Sequence, residues 1–198
     1  LRGMPGVSQQ TKQLILDTAN ELGYDYKKNT EASRNICLIL SKSTRNSMVG
    51  FFNYIQFGME DEAKRQGLNI IIYYYDEDIE TFETPLCIKE NMISGIVTLG
   101  RVSRKTVSTI LSYNLPLVMV DHYFDNIKLN YILTDNISSG YVATEYLIKK
   151  NHRNIGFIGD INASISFWDR YQGFLKALRD YEIPINEKSH FIRISLEK

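Results

Sequence analysis

The chain has 198 residues, 43% of them hydrophobic and 23% charged, with 23 basic against 23 acidic side chains and a formal net charge of zero. That balance excludes a chain-wide electrostatic grip on nucleic acid and leaves only a local basic patch for such a purpose. No apolar run approaches the ~20 residues of a membrane-spanning helix, and no secretory hydrophobic segment opens the chain at Leu1.

The opening, Leu1-Arg-Gly-Met-Pro-Gly6, reads as a loop, and Ser8 is a good N-cap for a helix beginning at Gln9. Gln9 to Leu22 reads as that helix, with an apolar stripe of Leu14, Ile15, Ala19 and Leu22 and with Gly23 at the C-terminal stop. A helix of this size cannot fold alone, so its stripe needs partner helices or the main body. Residues 24–35 are polar and without period, a linker made locally basic by Lys27, Lys28 and Arg34. Ile36 to Leu40 is apolar throughout, as a buried parallel strand requires. Phe51 to Gln66 has helical spacing, with Gly67 as its stop, and Leu68 to Tyr75 reads as a strand. Pro85 interrupts the next helix, whose regular part is placed after it. Further strands are expected over Gly95 to Leu99, Leu117 to Val120 and Tyr131 to Thr134, with a helix over Ser103 to Ser112.

Asp135 and Asn136 carry capping side chains and start a helix that ends near Asn151, its apolar face made by Val142, Ala143, Tyr146 and Leu147. Ile155 to Ile158 is a second β-rich run, so this strand-helix-strand unit is expected to form a parallel pair with a right-handed crossover. A helix over Arg170 to Tyr181, with Phe174, Ala177, Leu178 and Tyr181 inward, and a strand from Phe191 to Ile194 close the pattern. The fold class is α/β. Cys37 and Cys87 show no CxxC spacing and lie in or beside core elements, so buried reduced thiols in a cytoplasmic protein are expected.

Ligands of open parallel sheets bind at the carboxyl ends of the strands. Here those ends carry Ser41 and Lys42, Tyr75 and Asp76, Asp121 and His122, Asp135 and Asn136, and Asp160, with Phe51, Phe52, Tyr123, Phe167 and Trp168 nearby. Carboxylates, an arginine and flat apolar faces suit a sugar, whose hydroxyls take bidentate partners and whose C–H faces take aromatic surface. An Asp after a strand also serves as an ordinary cap or turn residue. No GxSxG, HExxH or GxGxxG motif is present, and His122, His152 and His190 are scattered. Gly95-Ile-Val-Thr-Leu-Gly100-Arg101 approaches a phosphate loop, but its lysine is replaced and its interior is β-rich, so it reads as a strand. Asn136-Ile-Ser138 and Asn162-Ala-Ser164 match a glycosylation sequon, a pattern frequent by chance. No enzyme activity, cofactor or metal is implied.

The series of motifs resembles the lactose-repressor (LacI/GalR) family of bacterial transcription regulators over nearly the whole chain. Its members here are Gly6-Val-Ser-Gln-Gln-Thr11 with Glu21-Leu-Gly-Tyr24, then Phe51-Phe52 with Gly58-Met-Glu60 and Ala63. Next in order are Ser94-Gly95-Ile96 and Pro116 to Asp121, then Asp135-Asn136, Gly140, Leu147, His152-Arg153, Ile155 and Arg170-Tyr-Gln-Gly173-Phe174. The resemblance implies a periplasmic-binding-protein-like body of two Rossmann-like subdomains, the second incomplete, preceded by a residual headpiece helix. Its divisions are 1–24 for the headpiece remnant, 25–35 for the hinge, 36–135 for the first effector-binding subdomain and 136–198 for part of the second. It further implies a homodimer meeting along the Phe51 helix, operator DNA as a partner through the full-length headpiece, and a small-molecule effector, a sugar by the strand-end residues.

By the same resemblance Phe51 and Phe52 line the effector cleft, Asp121 and Arg170 bind effector hydroxyls, and His122 occupies a common cleft position. Trp168 and Asp169 join them by adjacency to Arg170. The helix-turn-helix is absent from the sequence, the usual Ala-Arg-Leu hinge pattern is missing with Ser33 near the leucine position, and Val49-Gly50 replaces an Asn-Pro. Without that leucine wedge, Lys27 and Lys28 are the residues expected to touch phosphates. Three other functions compete with this one. A purine-responsive repressor would use similar aromatics and arginine. A solute-binding protein for transport shares the body but needs a secretory signal and no Ser8 to Leu22 helix. A sugar-acting enzyme needs an acid or base arrangement that the carboxylates do not supply.

Overall fold

The apolar run around Ile36 forms β1 (Asn35–Ser41) in the computed structural model, which describes residues 8–22, 34–42, 50–76, 82–185 and 191–193. β1 lies between β2 (Asn69–Tyr75) and β3 (Gly95–Leu99), and β4 (Leu117–Val120) and β5 (Asn130–Ile132) extend the sheet in the order β2-β1-β3-β4-β5. Every pair is parallel, with Leu38 opposite Ile72 on one side and Val97 on the other. Alternation along β1 divides the core. Cys37 and Ile39 face one apolar cluster with Ile88, Val107 and Ile110, and Leu38 and Leu40 face another with Phe52, Ile55 and Met59. Both faces are therefore covered by helices, as an all-parallel sheet demands.

The helices are α1 (Gln9–Glu21), α2 (Phe51–Arg65), the short α3 (Leu86–Lys89), α4 (Arg104–Leu111), α5 (Asn136–Lys149) and α6 (Ile165–Asp180). Local chemistry sets their ends. Ser8, Ser103, Asp135 and Ser164 each accept a hydrogen bond from a first-turn backbone N–H, and Gly67 ends the α2 segment with φ of 65°. Cys37 and Cys87 are free and buried, and burial, with the neighbouring Cys87 thiol, holds the Cys37 thiol well above its ordinary value.

Several expectations are corrected. The unit from β5 to β6 (Phe157–Gly159) is not a parallel pair: β5 joins β4, and β6 joins β7 (Phe191–Arg193) in a separate two-stranded sheet. α5 therefore carries the chain from one sheet to another layer. Its inward strip is also different, because Thr144 and Ile148 are buried while Val142, Ala143, Tyr146 and Leu147 are exposed. The cause is the close approach of α5 to α6. A Cβ on Gly140 would overlap the Arg170 carbonyl, and one on Gly173 would overlap the Ile137 carbonyl. α6 starts at Ile165, a turn earlier than the apolar period suggested, because Ser164 caps it. Phe174, Ala177 and Leu178 are buried as expected, but Tyr181 is 37% exposed and donates to Glu145 at 2.8 Å. The stripe of α1 is uncovered among the described residues, with Leu14 67% and Leu22 80% exposed.

Candidate functional site

β4 delivers Asp121 into a left-handed backbone, φ 60°, a conformation costly to a residue with a Cβ and concentrated at functional positions. Its N–H donates to the Ile132 carbonyl at 3.0 Å, which fixes the turn against β5. Its carboxylate accepts from the Ser166 hydroxyl at 3.3 Å in the first turn of α6. Arg170 lies one turn further along α6 and attracts the Asp121 charge, with its guanidinium carbon 5.8 Å from the Phe167 ring centre. Burial pushes the Asp121 carboxyl up, and Ser166 and Arg170 pull it partly back.

The next residues make parallel links. The Tyr123 hydroxyl donates to both oxygens of buried Asp169, at 3.2 and 3.3 Å. Burial, then the Asp169 charge, pushes the Tyr123 hydroxyl up to about 12, and burial raises the Asp169 carboxyl. After β3, Arg101 donates from Nη1 to the Ala163 carbonyl at 3.3 Å. Three polar links thus span from the carboxyl edge of the five-stranded sheet to the segment that opens α6.

Between them lies a cleft of about 500 Å³. Arg101, Arg104, His122, Tyr123, Phe124 and Asp125 form one wall, and residues 161–165 with Trp168 form the other. His122 is buried, meets Phe124 edge-on at 4.9 Å between ring centres, and leaves its Nδ1 without a hydrogen-bond partner among the described residues. Burial first, then the Arg101 charge, lowers the proton affinity of His122.

That shift sets a pH dependence. A histidine whose folded value lies below its unfolded one of ~6.5 contributes stability that is full above that pH and lost as pH falls, because the unfolded chain takes the proton first. The raised Asp121 and Asp169 act oppositely, since the folded state binds their protons more tightly. On acidification from about pH 7.5 to 5.5, His122→Gln should therefore lose less thermal stability than the parent. Parallel melting-temperature profiles would refute the assignment.

The structure brings five of the seven proposed ligand residues together: Asp121, His122, Trp168, Asp169 and Arg170 surround the joint of β4 and α6, with His122 and Trp168 on the cleft wall itself. Phe51 and Phe52 do not line this cleft. Phe51 is 52% exposed at the start of α2, edge-on to Phe52 at 5.2 Å, and Phe52 packs against the cluster of Leu38, Leu40, Leu99 and Val120. Lys27 and Lys28 lie outside the described residues. Sequence reasoning missed Arg101, Arg104 and Ser166. The near-phosphate loop ending at Arg101 was the one signal pointing there, and the sequon Ser164 proved to be a helix cap. Among the described residues no group of His, Cys, Asp or Glu is placed to hold a metal, and no helix is long and apolar enough to cross a membrane.

Residues 33–190 match the family described as periplasmic binding proteins and sugar binding domain of LacI family. The chain belongs to this family. Among curated relatives, the HTH-type transcriptional regulator RegA of Clostridium saccharobutylicum is 29% identical over 188 residues, covering 91% of this chain and 55% of the relative. The HTH-type transcriptional repressor PurR of Pasteurella multocida is 26% identical over 187 residues, with the same coverages of 91% and 55%. The chain thus spans about half the length of the curated relatives it matches. Among solved structures, a transcriptional regulator CelR-cellobiose complex superposes with a TM-score of 0.67 at 18% identity, covering 98% of this chain and 59% of that one. The LacI-type body is a periplasmic-binding-protein-like α/β fold built on a parallel sheet with helices, as the motif series implied.

Proposed function

We propose that this chain is the effector-binding body, with part of the hinge and headpiece, of a dimeric cytoplasmic transcriptional repressor. A small carbohydrate or related metabolite binds where the Asp121 and α6 elements meet, and its binding shifts the closure of the 36–135 and 136–198 subdomains and hence DNA affinity. The observation that carries this reading is the reach of the similarity. An alignment covering 91% of the chain leaves fewer residues unmatched than precede residue 33, so it extends into the stretch that carries α1. A transport protein with the same body has no use for a helix there. The uncovered Leu14 and Leu22 on α1 suit a headpiece helix, and exposed Phe51, Tyr54 and Phe57 on α2 suit a dimer face.

A sugar is favoured by the Asp121, Asp169 and Tyr123 hydrogen-bonding set beside the exposed Trp168 face, and by the cellobiose named for the CelR structure. The similarity to PurR gives a purine its own support as the alternative. Selection of bound DNA from a random-sequence pool by the full-length protein is expected to enrich one palindromic site whose retention changes with a sugar from a panel. Failure to enrich any sequence, with or without sugars and purines, would sink the repressor reading.

A further inference from the structure

Asp121 and Asp169 are bonded to Ser166 and Tyr123 beside the cleft without lining it, and the wall that carries Tyr123 is chemically unlike them. Arg101 and Arg104 line the wall there, and the four ion pairs formed among the described residues, Lys42–Asp76, Arg65–Glu62, Lys149–Glu145 and Lys176–Asp180, include neither of them. Arg101 uses one N–H on the Ala163 carbonyl and has four more donors in its planar fork. Arg104 sits with its guanidinium carbon 4.6 Å from the centre of the Phe124 ring, a contact that holds the head in place without neutralising it. Asp125 is the single carboxylate on this wall.

A further feature points the same way. Across the cleft, Ser164 and Ile165 present the first turn of a 16-residue helix, whose Ile165 and Ser166 N–H groups have no acceptor within the helix. With zero net charge on the whole chain, this concentration of positive charge is local rather than a by-product of a basic protein.

We infer that the effector is an anionic sugar, a polyol carrying a phosphate or carboxylate group, with its hydroxyls toward Tyr123 and Trp168 and its anionic group between Arg101, Arg104 and the start of α6. This rests on the proposed effector cleft and names the class of ligand for it. A neutral sugar would leave both exposed guanidinium groups without a charged partner in the cleft. An anion gains charge-assisted hydrogen bonds from both, which are about twice as strong as neutral ones.

The test is isothermal titration of the full-length protein with matched pairs: glucose against glucose 6-phosphate, ribose against ribose 5-phosphate, and glucose against glucuronate, with inorganic phosphate alone as a fourth probe. Parent, Arg101→Gln/Arg104→Gln and Arg170→Ala proteins are compared. At least one anionic member should bind on the order of ten- to a hundredfold tighter than its neutral partner. The double variant should bring the two members level, and inorganic phosphate alone should bind far more weakly than the sugar phosphate. Equal binding of neutral and anionic members in the parent, both lost in Arg170→Ala, overturns this inference and leaves the cleft reading intact. An anionic advantage that vanishes in the double variant but survives Arg170→Ala upholds the arginine site and removes Arg170 from the effector contacts. If Arg101 serves only to pin the Ala163 turn, the double variant weakens both members equally, which also overturns the inference.

Discussion

Gly173→Ala is expected to destabilise the protein by about 3 kcal/mol, seen as a fall in melting temperature of roughly 6–12 °C for a chain of this size. Two opposing effects decide the sign. Alanine in a helix interior is favoured over glycine by ~1 kcal/mol, so a substitution that merely filled space would stabilise. At Gly173, however, the new methyl would overlap the carbonyl oxygen of Ile137 and crowd the Tyr141 N–H, both backbone atoms of α5 that cannot yield by turning a rotamer. α5 would have to move away, opening the contact that buries Ile148, Tyr171 and Phe174. Gly140→Ala meets the Arg170 backbone in the reciprocal way and should cost a similar amount. Gly58→Ala is the contrast, since nothing lies within 4 Å of its added methyl on exposed α2. There the helix preference acts alone, and stability should rise by up to ~1 kcal/mol. Denaturant titrations of the three variants check the argument. A Gly173→Ala protein as stable as the parent would mean that α5 and α6 do not approach backbone to backbone.

The same glycines explain what the sequence made legible and what it hid. Continuous apolar runs identified the parallel strands, and β3 and β4 fall at the residues expected, Gly95–Leu99 and Leu117–Val120, because burial on both faces leaves only the internal Thr98 as a polar position and none at the ends. The inward face of α5 was hidden because hydrophobicity selects Val142, Tyr146 and Leu147, whereas close approach selects the small Gly140 and the Thr144 whose hydroxyl returns to the Gly140 carbonyl at 2.7 Å. The first turn of α6 was hidden for a related reason: Ser166 and Asp169 are buried but polar, since they face Asp121 and Tyr123 rather than core. At the site, residues near strand ends were accessible to reasoning from topology. The bond between Arg101 and Ala163, separated by 62 positions, was not. No periodicity reports a contact of that range.

Arg170→Ala should abolish most effector binding while leaving the unliganded fold largely intact. The guanidinium makes no hydrogen bond among the described residues; its neighbours are the Phe167 face and the Asp121 charge, so little of the folding energy runs through it. A ligand hydroxyl bridging Asp121 and Arg170 would donate to the first and accept from the second in charge-assisted bonds, and losing the arginine should cost about 2–3 kcal/mol, roughly 30- to 150-fold in affinity. In a thermal-shift assay at a ligand concentration near 100 times Kd, the parent gains about 2.7 kcal/mol, whereas a variant weakened a hundredfold gains only ~0.4 kcal/mol. At roughly 2–4 °C per kcal/mol, a shift of about 5–10 °C collapses to about 1 °C. Arg170→Lys separates charge from geometry. Lysine keeps the attraction to Asp121 but lacks the planar fork, so it should restore the proton affinity of Asp121 without restoring the ligand-induced shift. A sugar, sugar phosphate or purine whose stabilising effect survives Arg170→Ala would place the effector elsewhere, and the polar links from Asp121 and Tyr123 to α6 would then be braces of the fold rather than the floor of a binding site.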